Sequence, residues 1–122
     1  MMTFEATIDR YCEAWSAADP NRRFSLLADV WSDGGIYCDP TVHAVGASAL
    51  LDHIAAVIAR RPGSRVLRTS ALDRHHDLAR FTWAAVAEDG AVLRDGIDIA
   101  TFDASGRITR MIGFFGSPEP LR

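Results

Sequence analysis

The chain has 122 residues, a net charge of −3, 48% hydrophobic residues and 24% charged residues. That balance excludes a disordered chain, and the length is that of a single domain over 1–122 that buries its own core without a disulfide or metal staple. All 13 cations are arginine and form no basic block, so nothing supports a nucleic-acid or anionic-membrane surface.

No apolar run nears the roughly 18 residues of a membrane span. The start, Met1-Met2-Thr3-Phe4-Glu5, has no basic stretch before an apolar one, so no signal peptide is expected and the cytoplasm is the expected compartment. Cys12 and Cys38 form no CxxC pair; they read as buried thiols in a reducing compartment, and no metal site is expected from them.

In chain order, Phe4, Ile8, Tyr11, Cys12 and Trp15 recur at helical spacing and make one apolar face. Asp19-Pro20 reads as an N-cap followed by proline at the first helical position. A second helix then carries Phe24, Leu27, Val30 and Trp31 and is expected to stop at Gly34-Gly35. Ile36-Tyr37-Cys38 is a short β run ended by Asp39-Pro40, and Val42 to Gly46 reads as a loop. A third helix carries Leu50, Leu51, Ile54, Val57 and Ile58 and ends at Pro62-Gly63.

Beyond residue 64 the pattern turns to strands: Ser64 to Leu72, Leu78 to Ala87, Ala91 to Phe102 and Arg107 to Phe115. Asp73 to Asp77 reads as a polar turn, Glu88-Asp89-Gly90 as a hairpin, and Asp103 to Gly106 as another turn. Three N-terminal helices followed by an antiparallel meander predict an α+β domain, with helices covering one face of a curved, mostly antiparallel sheet. Such a cone has an apolar interior and one mouth, which makes a natural small-molecule pocket.

The order of elements, together with Tyr11…Trp15…Asp19, Tyr37-Cys38-Asp39-Pro40, Gly96-Ile97-Asp98…Phe102 and Gly106-Arg107-Ile108…Gly113-Phe114-Phe115-Gly116, resembles the NTF2-like, or SnoaL-like, superfamily over nearly the whole chain. Within it, Arg10-Tyr11, Asp39-Pro40 and Ile97-Asp98 are similar to the tyrosine, the base aspartate and the protonated aspartate of ketosteroid isomerases. The stretch Thr41-Val42-His43 departs from that family, and so do Trp83 and the Arg94-Asp95 pair.

The resemblance implies a cofactor-free enzyme that moves a proton next to the carbonyl of an apolar ligand. Asp39 would be the base, and Tyr11 and neutral Asp98 would hold the enolate oxygen. It also implies a homodimer. The alternatives are a SnoaL-like cyclase or hydrolase-type enzyme using Asp98, with or without His43, and a non-catalytic ligand-binding or dimerising module.

Each residue also has a plainer reading. Tyr11 lies on the apolar stripe of the first helix and also fits a core aromatic. Asp39 also fits an Asx-type turn former. Asp98 sits mid-strand, where aspartate is depleted, so it is either neutral in a pocket wall or paired with Arg80, Arg94 or Arg110. Alternation puts Asp98, Ala100 and Phe102 on one face.

Trp15, Trp31, Trp83 and Phe115 read as core or pocket lining, and His43 as a residue of the pocket rim. His53 reads as structural, and the adjacent His75 and His76 as solvated. No phosphate loop, nucleophile elbow or HExxH motif is present.

Overall fold

The computed structural model describes residues 2–122. Helix α1 spans Phe4–Ala14, with the Thr3 side chain accepting the Ala6 N–H as N-cap. Helix α2 spans Pro20–Val30 and is capped by Asp19, which accepts the Asn21 N–H. Strands β1 (Trp31–Asp39) and β2 (Val42–Val45) form a hairpin, and helix α3 (Ala47–Arg60) follows. The remaining strands are β3 (Arg65–Arg68), β4 (Asp73–His75), β5 (Leu78–Val86), β6 (Val92–Phe102) and β7 (Ile108–Phe115).

The seven strands form one sheet in the order β2-β1-β7-β6-β5-β3, with β4 also on β5. All pairs are antiparallel except β1 with β7, which makes the sheet mixed. The first and last strands become neighbours because α3 and the whole β3–β6 meander lie between them in sequence, long enough for a parallel return.

Three expectations change. Helix α2 ends at Val30, not at Gly34-Gly35, and Trp31 is the first residue of β1. The Trp31 indole lies over Gly35, where a Cβ would come within 2.6 Å of Nε1, and the β1–β7 register shifts between Trp31 and Ile36. The two glycines thus mark an irregular strand. Val42 to Val45 is a strand rather than a loop, because Asp39 to Val42 closes a tight hairpin. Asp73 to His75 is a short strand paired to Arg80, Ala79 and Leu78.

The helices contribute Ile8, Tyr11, Leu26, Leu27, Val30, Leu50 and Ile54 to one core against the inner sheet face. That face carries Phe81, Trp83 and Ala85 of β5, Ala100 and Phe102 of β6, and Met111 of β7. Phe4 stacks on Phe102 with ring centroids 4.0 Å apart, which ties the start of α1 to the end of β6. Cys12 is buried and Cys38 half-buried, and both are free thiols. Burial pushes the Cys12 thiol up to about 12. Among the described residues, no helix is long and apolar enough to cross a membrane.

Candidate active site

A cavity of about 140 Å³ opens between α1, α3 and the inner sheet face, lined among others by Tyr11, Trp15, Tyr37, Asp39, His53, Trp83, Asp98 and Phe115. Strand alternation explains the sheet residues. On β6, Gly96, Asp98, Ala100 and Phe102 are buried while Ile97, Ile99 and Thr101 alternate on the outer side. On β5, Phe81, Trp83 and Ala85 share the inner face.

Asp98 pairs in register with Gly113 of β7, and Cys38, the neighbour of Asp39, pairs with Ile112. The two carboxyls therefore flank Gly113 from either side. A Cβ at Gly113 would stand 2.8 Å from Asp98 Oδ1 and 3.4 Å from Asp39 Cβ. Only a residue without a side chain leaves that floor open.

Asp98 is 7% exposed and forms no ion pair among the described residues. None of the three arginines weighed as partners pairs with it. Arg80 is exposed and pairs with Asp73 at 2.7 Å, and Arg110 is exposed at an outward position of β7. Arg94 lies 4.1 Å over the Phe115 ring. Burial pushes the Asp98 carboxyl up to about 7; the Trp83 indole nearby opposes this, and the charge of Asp39 adds to it. The Trp83 N–H does not reach hydrogen-bond geometry with any partner.

Asp39 makes an Asx-type turn and also lines the cavity. Its Oδ1 accepts the Thr41 N–H and the Thr41 hydroxyl, each at 2.7 Å, which is an Asx-type turn. Its Oδ2 faces the cavity, accepts the Tyr37 hydroxyl at 2.5 Å and lies 3.9 Å from His53 Nε2. Burial pushes the Tyr37 phenol far above its ordinary value, and its hydrogen bond to Asp39 adds to this. The Tyr11 phenol is likewise held well above its ordinary value, by burial first and then by Tyr37 and Asp98. Both phenols stay protonated and can act only as neutral donors.

Trp15, Trp83 and Phe115 line the cavity. Trp31 does not: it stacks behind Tyr11, with centroids 6.0 Å apart, and serves as core. His43 is not in the cavity either. It pairs with Cys38, whose side chain points away from the Tyr37–Asp39 face, so His43 is exposed on the outer side of the hairpin.

The histidine that reaches the site is His53 of α3, which faces Tyr37 and Trp15 with ring centroids 6.0 and 5.7 Å away. Burial lowers its pKa; Asp39 opposes this, and Arg60 adds to it. The neutral imidazole is thereby favoured. Tyr37, His53 and Gly113 are thus site residues beyond the sequence reading. Tyr37 had one legible signal, its position two residues before Asp39 on the same strand face. Among the described residues, no cluster of three His, Cys, Asp or Glu side chains could hold a metal ion.

No family model and no curated protein sequence matches the chain. Solved structures do. A SnoaL-like family protein from Agrobacterium tumefaciens, provisionally named an isomerase, is 27% identical and superposes with a TM-score of 0.87 over 96% of this chain and 100% of its own. An NTF2-like protein of unknown function from Exiguobacterium has 22% identity and a TM-score of 0.73, covering 92% and 99% of the two chains. A protein with a ketosteroid isomerase-like fold from Catenulispora acidiphila, solved with trimethylamine, has 15% identity and a TM-score of 0.74, covering 93% and 88%. The structural neighbours of this chain are thus NTF2-like, SnoaL-like and ketosteroid isomerase-like proteins. Its three helices and mixed, open seven-stranded sheet are consistent with their α+β cone.

Proposed function

We propose that the protein is a cofactor-free isomerase of the ketosteroid isomerase type, acting on an apolar carbonyl compound in the cone. One observation carries this reading. Tyr11, Asp39 and Asp98 line one cavity, and Asp98 lies buried there with no ion-pair partner among the described residues. A neutral carboxylic acid and a phenol are two donors that can hold an enolate oxygen without adding charge to the pocket.

In this reading Asp39 takes a proton from the carbon between the carbonyl and a β,γ double bond. The electron pair moves onto the carbonyl oxygen, where Tyr11 and Asp98 donate to it. Asp39 then returns the proton to the γ carbon, and the double bond ends in conjugation. Trp15, Trp83 and Phe115 supply the apolar walls. The Agrobacterium neighbour's provisional name adds support for the class of reaction.

The test is ultraviolet detection of the conjugated enone from a β,γ-unsaturated 3-ketosteroid. Asp39→Asn should cost roughly 10²–10⁴-fold in kcat, the usual worth of a general base. Wild-type turnover that survives Asp39→Asn removes Asp39 as the base.

A second reading has a specific observation behind it. Three hydrogen bonds already converge on Asp39, whereas Asp98 accepts none that meets hydrogen-bond geometry. A SnoaL-like cyclase or hydrolase-type enzyme would use Asp98 as its acid and base. Asp98→Asn being far more damaging than Asp39→Asn would favour that reading.

We also propose a homodimer formed through the outer sheet face. There Ile97 pairs with Phe114 and Ile99 with Ile112 across β6 and β7, and Phe114 is 57% exposed.

A further inference from the structure

Neither chemical reading uses the cations at the mouth of the cavity. Arg60 ends α3, Arg61 follows it, and Arg94 lies on β6; all three line the same cavity as Asp39 and Asp98. The chain as a whole carries a charge of −3, so three guanidinium groups at one opening run against its composition. The arginines that do form ion pairs are Arg10, Arg22, Arg68, Arg74 and Arg80, and none of the three at the mouth is among them in the described residues. Glu88 lies against Gly63, close to Arg61 in the chain, yet makes no ion pair.

Two features set Arg94 and Arg60 at the rim of this cavity on opposite sides. Arg94 pairs in register with Ala85, another cavity residue, and its Cζ lies 4.1 Å above the Phe115 ring. Phe115 in turn packs edge-on to Trp83, so apolar wall runs continuously from Arg94 toward Asp98. From the opposite side, α3 brings both His53 and Arg60 to the cavity lining, with His53 Nε2 3.9 Å from Asp39 Oδ2. A cation at a helix C-terminus offsets the helix dipole, which explains Arg60 but not Arg94 on a strand.

We infer that the substrate is an apolar carbonyl compound carrying a carboxylate, with its carbonyl end at Tyr11 and Asp98 and its carboxylate at Arg60, Arg61 and Arg94. This rests on the proposed function for the carbonyl end only. Guanidinium forks match carboxylates in geometry as well as charge. The interior is acid-bearing and the rim cationic, so the site has a polarity that a ligand of this kind matches end to end.

The experiment compares 2-naphthol with 6-hydroxy-2-naphthoate by titration calorimetry at neutral pH. Each presents a phenol in place of the enolate, and only the second carries a carboxylate at the far end. The naphthoate should bind at least about tenfold more tightly at low salt, and the advantage should shrink toward parity near 1 M salt, where screening acts within about 3 Å. Arg60→Gln, Arg61→Gln and Arg94→Gln should each reduce the advantage, and the triple variant should abolish it. Should the triple variant fail to fold, the salt series on the wild type reads the same interaction.

Equal affinities, or no naphthoate binding, overturn the inference. Naphthol binding that is weakened by Tyr11→Phe and Asp98→Asn, with no carboxylate advantage, overturns the inference and leaves the proposed function standing. A salt-sensitive carboxylate advantage with no effect of Tyr11→Phe or Asp98→Asn upholds the anionic site and counts against the proposed function.

Discussion

Replacing Asp98 with asparagine keeps the shape of the side chain and removes its titration. In the folded protein the carboxyl is pushed from 3.8 up to about 7, chiefly by burial. The folded state therefore holds this proton more tightly than the unfolded chain does. Stability from this group is fully present below pH 4, is lost progressively as pH rises, and is gone above pH 7. At 1.36 kcal/mol per pH unit, the whole effect is roughly 4 kcal/mol, of which about 2.5 kcal/mol falls between pH 5 and pH 8.

The assay is urea denaturation of wild type and Asp98→Asn at pH 5, 6, 7 and 8. Other titrating groups are common to both proteins, so the difference between the two curves isolates Asp98. The wild type should lose ground steadily against the variant as pH rises, and the variant should be the more stable at pH 8. Parallel curves would refute the reasoning, because they would mean that Asp98 ionises as freely in the fold as in the unfolded chain.

The same proton predicts the basic limb of the rate profile. As an oxyanion donor Asp98 must be protonated, so kcat/KM should fall as pH rises through about 7, and steady-state rates across pH 5 to 9 check this. Gly113→Ala places a Cβ 2.8 Å from Asp98 Oδ1. It should destabilise the protein by about 1–3 kcal/mol, as overpacking does, and lower kcat at least about tenfold; denaturation and kinetics read the two separately. Phe114→Glu puts a charge in the centre of the outer apolar cluster and should convert the proposed dimer to monomer in light scattering after gel filtration, whereas a monomeric wild type removes that interface.

Local pattern made several features legible. The helical stripe of α1 put Tyr11 and Trp15 on one buried face. The period of two along β6 placed Asp98 inward with Ala100 and Phe102. Asp19-Pro20 marked the start of α2, because capping and proline preference act within a few residues. The errors fall where distant segments decide. Gly34-Gly35 looks like a helix stop, yet β7 recruits the segment as strand and the Trp31 indole fills the space over Gly35. His43 looked like a rim residue from its distance to Asp39 along the chain. Hairpin pairing with Cys38 turns it outward, and α3 brings in His53 instead.

Local pattern along the chain suffices for the α+β class, the buried face of α1 and the inward position of Asp98 on β6. Each follows from periodicity, capping or turn chemistry within a dozen residues. That Tyr11, Asp39 and Asp98 share one cavity follows from the packing of distant segments. That meeting depends on the parallel pairing of β1 with β7, which sets Gly113 between the two carboxyls. It depends also on α1 and α3 closing over the sheet, since only their burial raises Asp98 and brings His53 and Arg60 to the site. A side chain's pairing and solvation are properties of its surroundings in space, and adjacency along the chain does not specify them.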